Sequence, residues 1–126
     1  MSYSEPKELI RAKQLIDEYK LDEAEQLIKS FEEKGGHTLH DIVLCCLLKC
    51  ELLCERGLLE DSVKLAEQTY KESLGLGNNL LSVDILLIMA LALLRMGQGH
   101  TDKAHDIIEQ GEELLKTLTL ELPAEY

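Results

Sequence analysis

Apolar residues recur along the chain at helical spacing, in six segments separated by glycines or short polar corners. The segments begin near Pro6, Asp22, Thr38, Glu60, Asn79 and Thr101. Residues three and four apart lie on one face of a helix, so this spacing predicts amphipathic helices. Gly57 and Gly97 follow the third and fifth segments and predict where those helices end. The pattern therefore predicts an all-α chain of six helices.

The fifth segment, residues 79–96, is apolar almost all the way round. No polar side chain interrupts it between Ile85 and Leu94. Such a helix has no wet face, so it could span a membrane, be packed on two sides, or keep one side for a partner. Asp84 and Arg95 leave an apolar run shorter than the roughly 20 residues of a membrane span. We therefore expect no membrane segment here.

Composition limits the other possibilities. A chain of 126 residues is one domain, and its core must be aliphatic because it has no Trp and one Phe. The net charge is −11, with acidic residues spread along the whole chain and no basic patch to neutralise phosphates. We expect no nucleic-acid binding and a mild preference for basic partners. The first residues lack a charged-then-apolar signal segment, so we expect a cytoplasmic protein with reduced thiols.

Three segments of the chain are similar to one another, and each begins a helix. They are residues 21–27, 59–65 and 101–107, whose small residues Ala24, Ser62 and Ala104 align. The spacing between them is about 40 residues, which is typical of stacked helical hairpins. The sequence thus predicts one domain of three repeats, at about 6–36, 38–76 and 79–116. An irregular tail is expected over 117–126, because it contains Pro123.

The repeats resemble the tetratricopeptide repeat (TPR). Each first helix has a small residue midway and a large one three positions later: Ala12 and Leu15, Cys50 and Leu53, Ala90 and Leu93. The resemblance covers about residues 6–116. It departs from the family in a period longer than about 34 residues, in Tyr19 where a turn glycine belongs, and in the lack of a closing proline. The resemblance implies an α–α superhelix of three antiparallel hairpins with lengthened first helices.

In TPR-like arrays the first helices line a concave groove that holds the partner. Projecting this chain onto that arrangement predicts an apolar groove with a few polar points. The predicted groove residues are Leu9, Lys13, Ile16, Leu47, Glu51, Leu87, Leu91, Leu94 and Arg95. The resemblance implies a non-catalytic interaction module or adaptor that binds a peptide or an amphipathic helix of a partner protein. The alternative is a groove filled by the protein itself, through Leu118, Leu120 and Leu122 or through a homodimer.

The four cysteines are the residues that most suggest chemistry. Cys46, Cys50 and Cys54 are spaced to lie along one side of a helix, with Cys45 beside them. They lack the paired C-x-x-C spacing of zinc sites, and a free cysteine is an ordinary small core residue. We therefore expect no metal and no cofactor, with a thiol-based metal or redox protein as the less favoured alternative.

A Cys–His nucleophile is the other chemistry to weigh, since His37, His40 and Asp41 lie just before Cys45. Asp41 already has a sufficient role three residues after Thr38, in capping a helix. No third group that would orient a nucleophile is visible. We expect no catalytic residues and hence no enzyme.

Overall fold

The computed structural model describes residues 6–77 and 80–120, and the side chains of all of these except Leu120. Within these ranges the chain is all-α, which confirms the predicted class and the six helices. The helices are α1 (Lys7–Asp17), α2 (Leu21–Lys34), α3 (Leu39–Glu55), α4 (Leu59–Ser73), α5 (Leu80–Met96) and α6 (Thr101–Leu120). A short 3₁₀ turn, Leu74–Leu76, follows α4.

The predicted start of the irregular tail at Thr117 is wrong. Residues 117–120 continue α6 as its last turn. Leu118 is half-buried in this last turn. Pro123 does not prevent the turn, because a proline disfavours helix mainly at the residue directly before it. Leu122 and Pro123 lie outside the residues that the structure describes.

Each helix packs against the next along the chain, and α3 also packs against α1 and α5. The helix α5 therefore has neighbours on three sides, namely α3, α4 and α6. This explains why its sequence is apolar nearly all round, because most of its directions face another helix. None of the helices in residues 6–77 and 80–120 is long and apolar enough to cross a membrane.

Small residues let the helices of each hairpin approach closely. Ala24, Ser62 and Ala104, which align in the sequence, are all fully buried. The Ser62 hydroxyl donates a hydrogen bond to the Cys50 carbonyl oxygen at 2.8 Å, across the contact between α4 and α3. A longer side chain at Ser62 would therefore push the two backbones apart.

The turns that follow α1 and α3 close with the same hydrogen bonds. In each, an N–H donates to the carbonyl five residues back, from Lys20 to Leu15 at 2.7 Å and from Leu58 to Leu53 at 2.9 Å. This pattern needs a residue with positive φ just before the donor, a position where glycine is usual. Gly57 fills it after α3, with φ +81°.

Tyr19 takes the equivalent position after α1, with φ +60°. A side chain in this left-handed conformation costs about 1 kcal/mol relative to glycine. The Tyr19 hydroxyl donates to the carbonyl oxygen of Glu55 at 3.2 Å, at the end of α3. The strained turn is thereby tied to the next hairpin.

Two glycine-to-alanine substitutions should change stability in opposite directions. Gly57→Ala should lower the free energy of unfolding by about 1 kcal/mol, because a Cβ at φ +81° is strained although nothing lies within 4 Å of it. Gly111→Ala should raise it by about 1 kcal/mol, because Gly111 lies inside α6 and a Cβ there would meet Leu86 Cβ at an ordinary 3.9 Å. Urea unfolding monitored by circular dichroism measures both; equal signs would contradict the turn geometry.

Candidate functional site

The helices α1, α3 and α5 surround a hollow of about 500 Å³. Its lining is mostly leucine, with three charged side chains: Leu9, Lys13, Leu44, Leu47, Leu48, Glu51, Leu81, Asp84, Leu87, Ile88 and Leu91. A second hollow of about 320 Å³ shares Lys13, Glu51, Ile88 and Leu91 with the first and adds Ile16, Asp17, Tyr19 and Glu55. We call the two together the α1–α3–α5 groove.

The groove brings together all the residues predicted for it except Leu94 and Arg95, which lie on α5 beyond its lining. Three of the predicted residues form its floor, since Leu9, Ile16 and Leu47 are only 1%, 5% and 5% exposed. These side chains contribute to the core and offer little area to a partner.

Among the predicted groove residues, the accessible apolar side chains lie on α5. Leu87, Leu91 and Leu94 are 48%, 37% and 42% exposed. They follow one another at i, i+4 and i+7, so they form one stripe along the helix. A single exposed leucine is ordinary, whereas a row of them beside a hollow is typical of a binding surface. We call Leu87, Leu91 and Leu94 the α5 stripe.

Sequence reasoning missed several groove residues. Leu44, Leu48 and Ile88 lie on the α3 and α5 faces that look toward the groove, next to positions that were predicted. Asp84 was read only as an interruption of an apolar run. Its position one turn before Leu87 was the available signal, because i and i+3 lie on the same helix face.

Lys13 and Glu51 form the central ion pair of the groove. The Lys13 Nζ lies 3.1 Å from Glu51 Oε2, across the contact between α1 and α3, and 3.3 Å from Asp17 Oδ1. Burial lowers the pKa of Lys13, but Glu51 and Asp17 outweigh this and raise it. The Glu51 side chain is only 19% exposed, and burial raises its pKa against the opposing attraction of Lys13.

Arg95 links α5 to the end of α3. Its Nη1 lies 3.4 Å from Glu55 Oε1 and donates to Cys54 Sγ, also at 3.4 Å. Asp84, by contrast, has no cation within 4 Å among the residues that the structure describes. Partial burial raises the pKa of Asp84, and the attraction of Lys13 lowers it by less. The acids around the groove thus outnumber the cations.

The cysteines of α3 are core residues. Cys45, Cys50 and Cys54 are buried, Cys46 is partly buried, and all four are free thiols. Burial raises the pKa of Cys45 and of Cys50 to about 12. Such thiols are protonated at neutral pH and are poor nucleophiles and poor metal ligands. Across residues 6–77 and 80–120, no group of three or more His, Cys, Asp or Glu side chains is arranged to hold a metal ion.

His37 has a structural role. Its ring stacks on Phe31 with ring centroids 3.7 Å apart, and its Nε2 donates to the Phe31 carbonyl oxygen at 2.6 Å. His37 lines a pocket of about 340 Å³ with Cys45 and Cys46. Its Nε2 is occupied by the Phe31 carbonyl, and the neighbouring thiols are protonated. The arrangement therefore contains no activated nucleophile.

Thr38 Oγ1 accepts from the Asp41 N–H at 3.2 Å, which confirms the predicted helix cap.

The buried thiols should be unreactive in the folded protein. At pH 8 a thiol with a pKa of about 12 is ionised to roughly one part in ten thousand, so alkylation by iodoacetamide should be far slower than for a free cysteine. Mass spectrometry after timed alkylation measures this, with urea-unfolded protein as the control in which all four cysteines react. Rapid alkylation of folded Cys45 or Cys50 would contradict the buried placement.

The Lys13–Glu51 pair should contribute less to stability than its geometry suggests. Since the folded state raises the pKa of Glu51, its ionised form is disfavoured there, and any stability this group gives is lost as pH rises. Glu51→Gln should therefore leave the free energy of unfolding at pH 7 unchanged or raise it by up to about 1 kcal/mol. Lys13→Met should lower it by about 1–2 kcal/mol, because it leaves a largely buried carboxylate without a cation.

Urea unfolding at pH 4 and pH 7 measures both effects. The deficit of the Lys13→Met variant should be smaller at pH 4, where Glu51 takes up a proton. Lys103→Met is the matched control, because Lys103 pairs with Glu67 at the same 3.1 Å but both partners are about half exposed. Its effect should stay within about 0.5 kcal/mol. A Glu51→Gln variant less stable than Lys13→Met would contradict this account.

The accessible part of the site is thus an apolar stripe on α5 beside a hollow with an acidic surplus. Comparison of the chain with protein-family models, with curated proteins and with solved structures gives no match.

Proposed function

We propose that the chain is a non-catalytic protein–protein interaction module of the TPR-like kind, which binds an amphipathic helix or apolar peptide of a partner in the α1–α3–α5 groove. The observation that carries the proposal is the α5 stripe. Leu87, Leu91 and Leu94 remain one-third to one-half exposed, although most side chains of the same helix are buried. Exposed leucines in a row are costly in water, and burial against a partner would remove that cost.

The repeated details of the fold support the TPR-like part of the proposal. The turns after α1 and α3 share one hydrogen-bonding pattern. The aligned small residues Ala24, Ser62 and Ala104 are equally buried. Ion pairs also join corresponding helices of successive hairpins, as Lys13 with Glu51 and Arg95 with Glu55 do. An array of this kind presents its first helices together, and here those helices are α1, α3 and α5.

The spacing of the α5 stripe suits a helical partner. Seven residues of an α-helix extend about 10 Å, or two turns, so Leu87 and Leu94 would be spanned by two turns of a partner helix. Apolar residues at matching spacing on that helix would pack between the leucines and cover the hollow beside them. Lys13, Glu51 and Arg95 would then border the contact and help to fix its direction. A cytoplasmic setting agrees with four free cysteines, of which three are buried and Cys46 is partly buried.

Leu91→Asp should abolish partner binding while the protein stays folded. A charge in the middle of the apolar contact leaves a desolvated carboxylate, which should weaken binding at least about 100-fold. The test selects helical peptides on the wild-type protein from a displayed library, then measures their affinity for each variant by fluorescence anisotropy. Circular dichroism and thermal unfolding check the fold.

Leu115→Asp is the matched control. Leu115 is 45% exposed, as Leu91 nearly is, but it lies on α6 away from the groove. Affinities unchanged in Leu115→Asp and lost in Leu91→Asp are the expected result. Unfolding of the Leu91→Asp variant would show that Leu91 is core instead. A wild-type molar mass of twice 14.2 kDa that Leu91→Asp halves would favour the homodimer alternative.

A further inference from the structure

The excess of carboxylates around the groove limits the kinds of partner that it can bind, and this inference rests on the proposed function. We propose that the occupant of the α1–α3–α5 groove is a basic amphipathic helix that places a Lys or Arg side chain against Asp84. The partner would thus carry an apolar face for the α5 stripe and a cation at its edge.

Carboxylates outnumber cations around the groove. Its carboxylates are Asp17, Glu51, Glu55 and Asp84, and the cations that touch them are Lys13 and Arg95. Lys13 is shared by Glu51 and Asp17, at 3.1 and 3.3 Å. Arg95 serves Glu55. Asp84 is the groove carboxylate left without an ion pair in the described part of the chain.

Asp84 lies where a bound helix would cover it. It lies one helical turn before Leu87, on the face of α5 that carries the stripe, and it lines the larger hollow. A helix lying on Leu87 and Leu91 would also cover Asp84 and remove its water. A desolvated carboxylate is unfavourable unless a cation or hydrogen-bond donor replaces the water. Asp84 is exposed in the free protein, although partial burial already raises its pKa.

The chain's own C-terminal residues and a second copy of the chain are less well matched to the charge of the groove. Residues 121–126 contain Glu121 and Glu125 and no Lys or Arg. A second copy of the chain would bring another net charge of −11. Either would add negative charge to a surface that already has a surplus of it. A basic helix is instead attracted from a distance by the whole chain and paired locally by Asp84.

Synthetic peptides of about 18 residues, or five helical turns, provide the test. Three peptides share the same leucine face and carry Lys, Gln or Glu at the flanking positions. Fluorescence anisotropy at low and moderate salt should give affinities in the order Lys, Gln, Glu, with at least about tenfold between the first and the last. The advantage of the Lys peptide should shrink as salt screens the charges.

Asp84→Asn separates the local ion pair from the general attraction of an acidic protein. It should weaken binding of the Lys peptide about threefold to tenfold and leave the Gln peptide unchanged or tighter. Asp106→Asn is the matched control, because Asp106 is an exposed acid on α6 outside the groove lining, and its loss should change neither affinity appreciably. Equal effects of the two substitutions would overturn the role of Asp84.

The remaining outcomes separate this inference from the proposed function. If the Lys and Glu peptides bind equally and both are lost in Leu91→Asp, the preference for a basic partner is wrong while the groove remains a binding site. If no peptide binds, or if binding persists in Leu91→Asp, the proposed function fails as well. Tighter binding of the Glu peptide would overturn the inference alone.

Discussion

The burial of α5 is the constraint on which the rest of the molecule depends. This helix contacts α3, α4 and α6, and its core side chains include Ile85, Leu86 and Leu93. Small residues lie at these contacts, such as Ala90 on α5 itself and Gly111 on α6. The order of the chain and the tight turns bring those neighbours into place. The remaining side is exposed, and it carries Leu87, Leu91 and Leu94 together with Asp84.

The polar side chains of the groove contribute less to stability than the apolar side chains of the core do. A leucine floor with no charges would be simpler to bury, yet the groove holds Lys13 and Glu51 in contact across two helices. Half-buried ion pairs of this kind contribute little net stability, because desolvation offsets most of their attraction. They do give a direction to an otherwise uniform apolar surface. For the proposed binding function, the apolar surface would supply affinity and these charges would discriminate between partners.

Much of this architecture was predictable from the sequence because it depends on local signals. Helical periodicity, Gly57 and Gly97 as helix ends, and the Thr38 cap each involve only a few neighbouring residues. Which groove residues are buried and which are exposed was not predictable from the sequence. Leu47 and Leu87 occupy equivalent predicted positions, yet Leu47 is buried and Leu87 is exposed. That difference depends on whether another helix lies across the face. The spacing of Asp84 to Leu87 could have placed it on the groove face, but the lack of an ion pair for Asp84 in the described residues is a property of the assembled groove.

The two walls of the groove are not held equally firmly. The wall formed by α5 is fixed by three neighbouring helices, whereas α1 packs mainly against α2 and α3 and ends in the strained turn at Tyr19. A helix with fewer supporting contacts opens at lower free energy than one enclosed on three sides. On this ground we expect α1 to be the less firmly held of the two groove walls. In the proposed complex, small displacements of α1 would then adapt the width of the groove to the partner while the leucines of α5 stay in place.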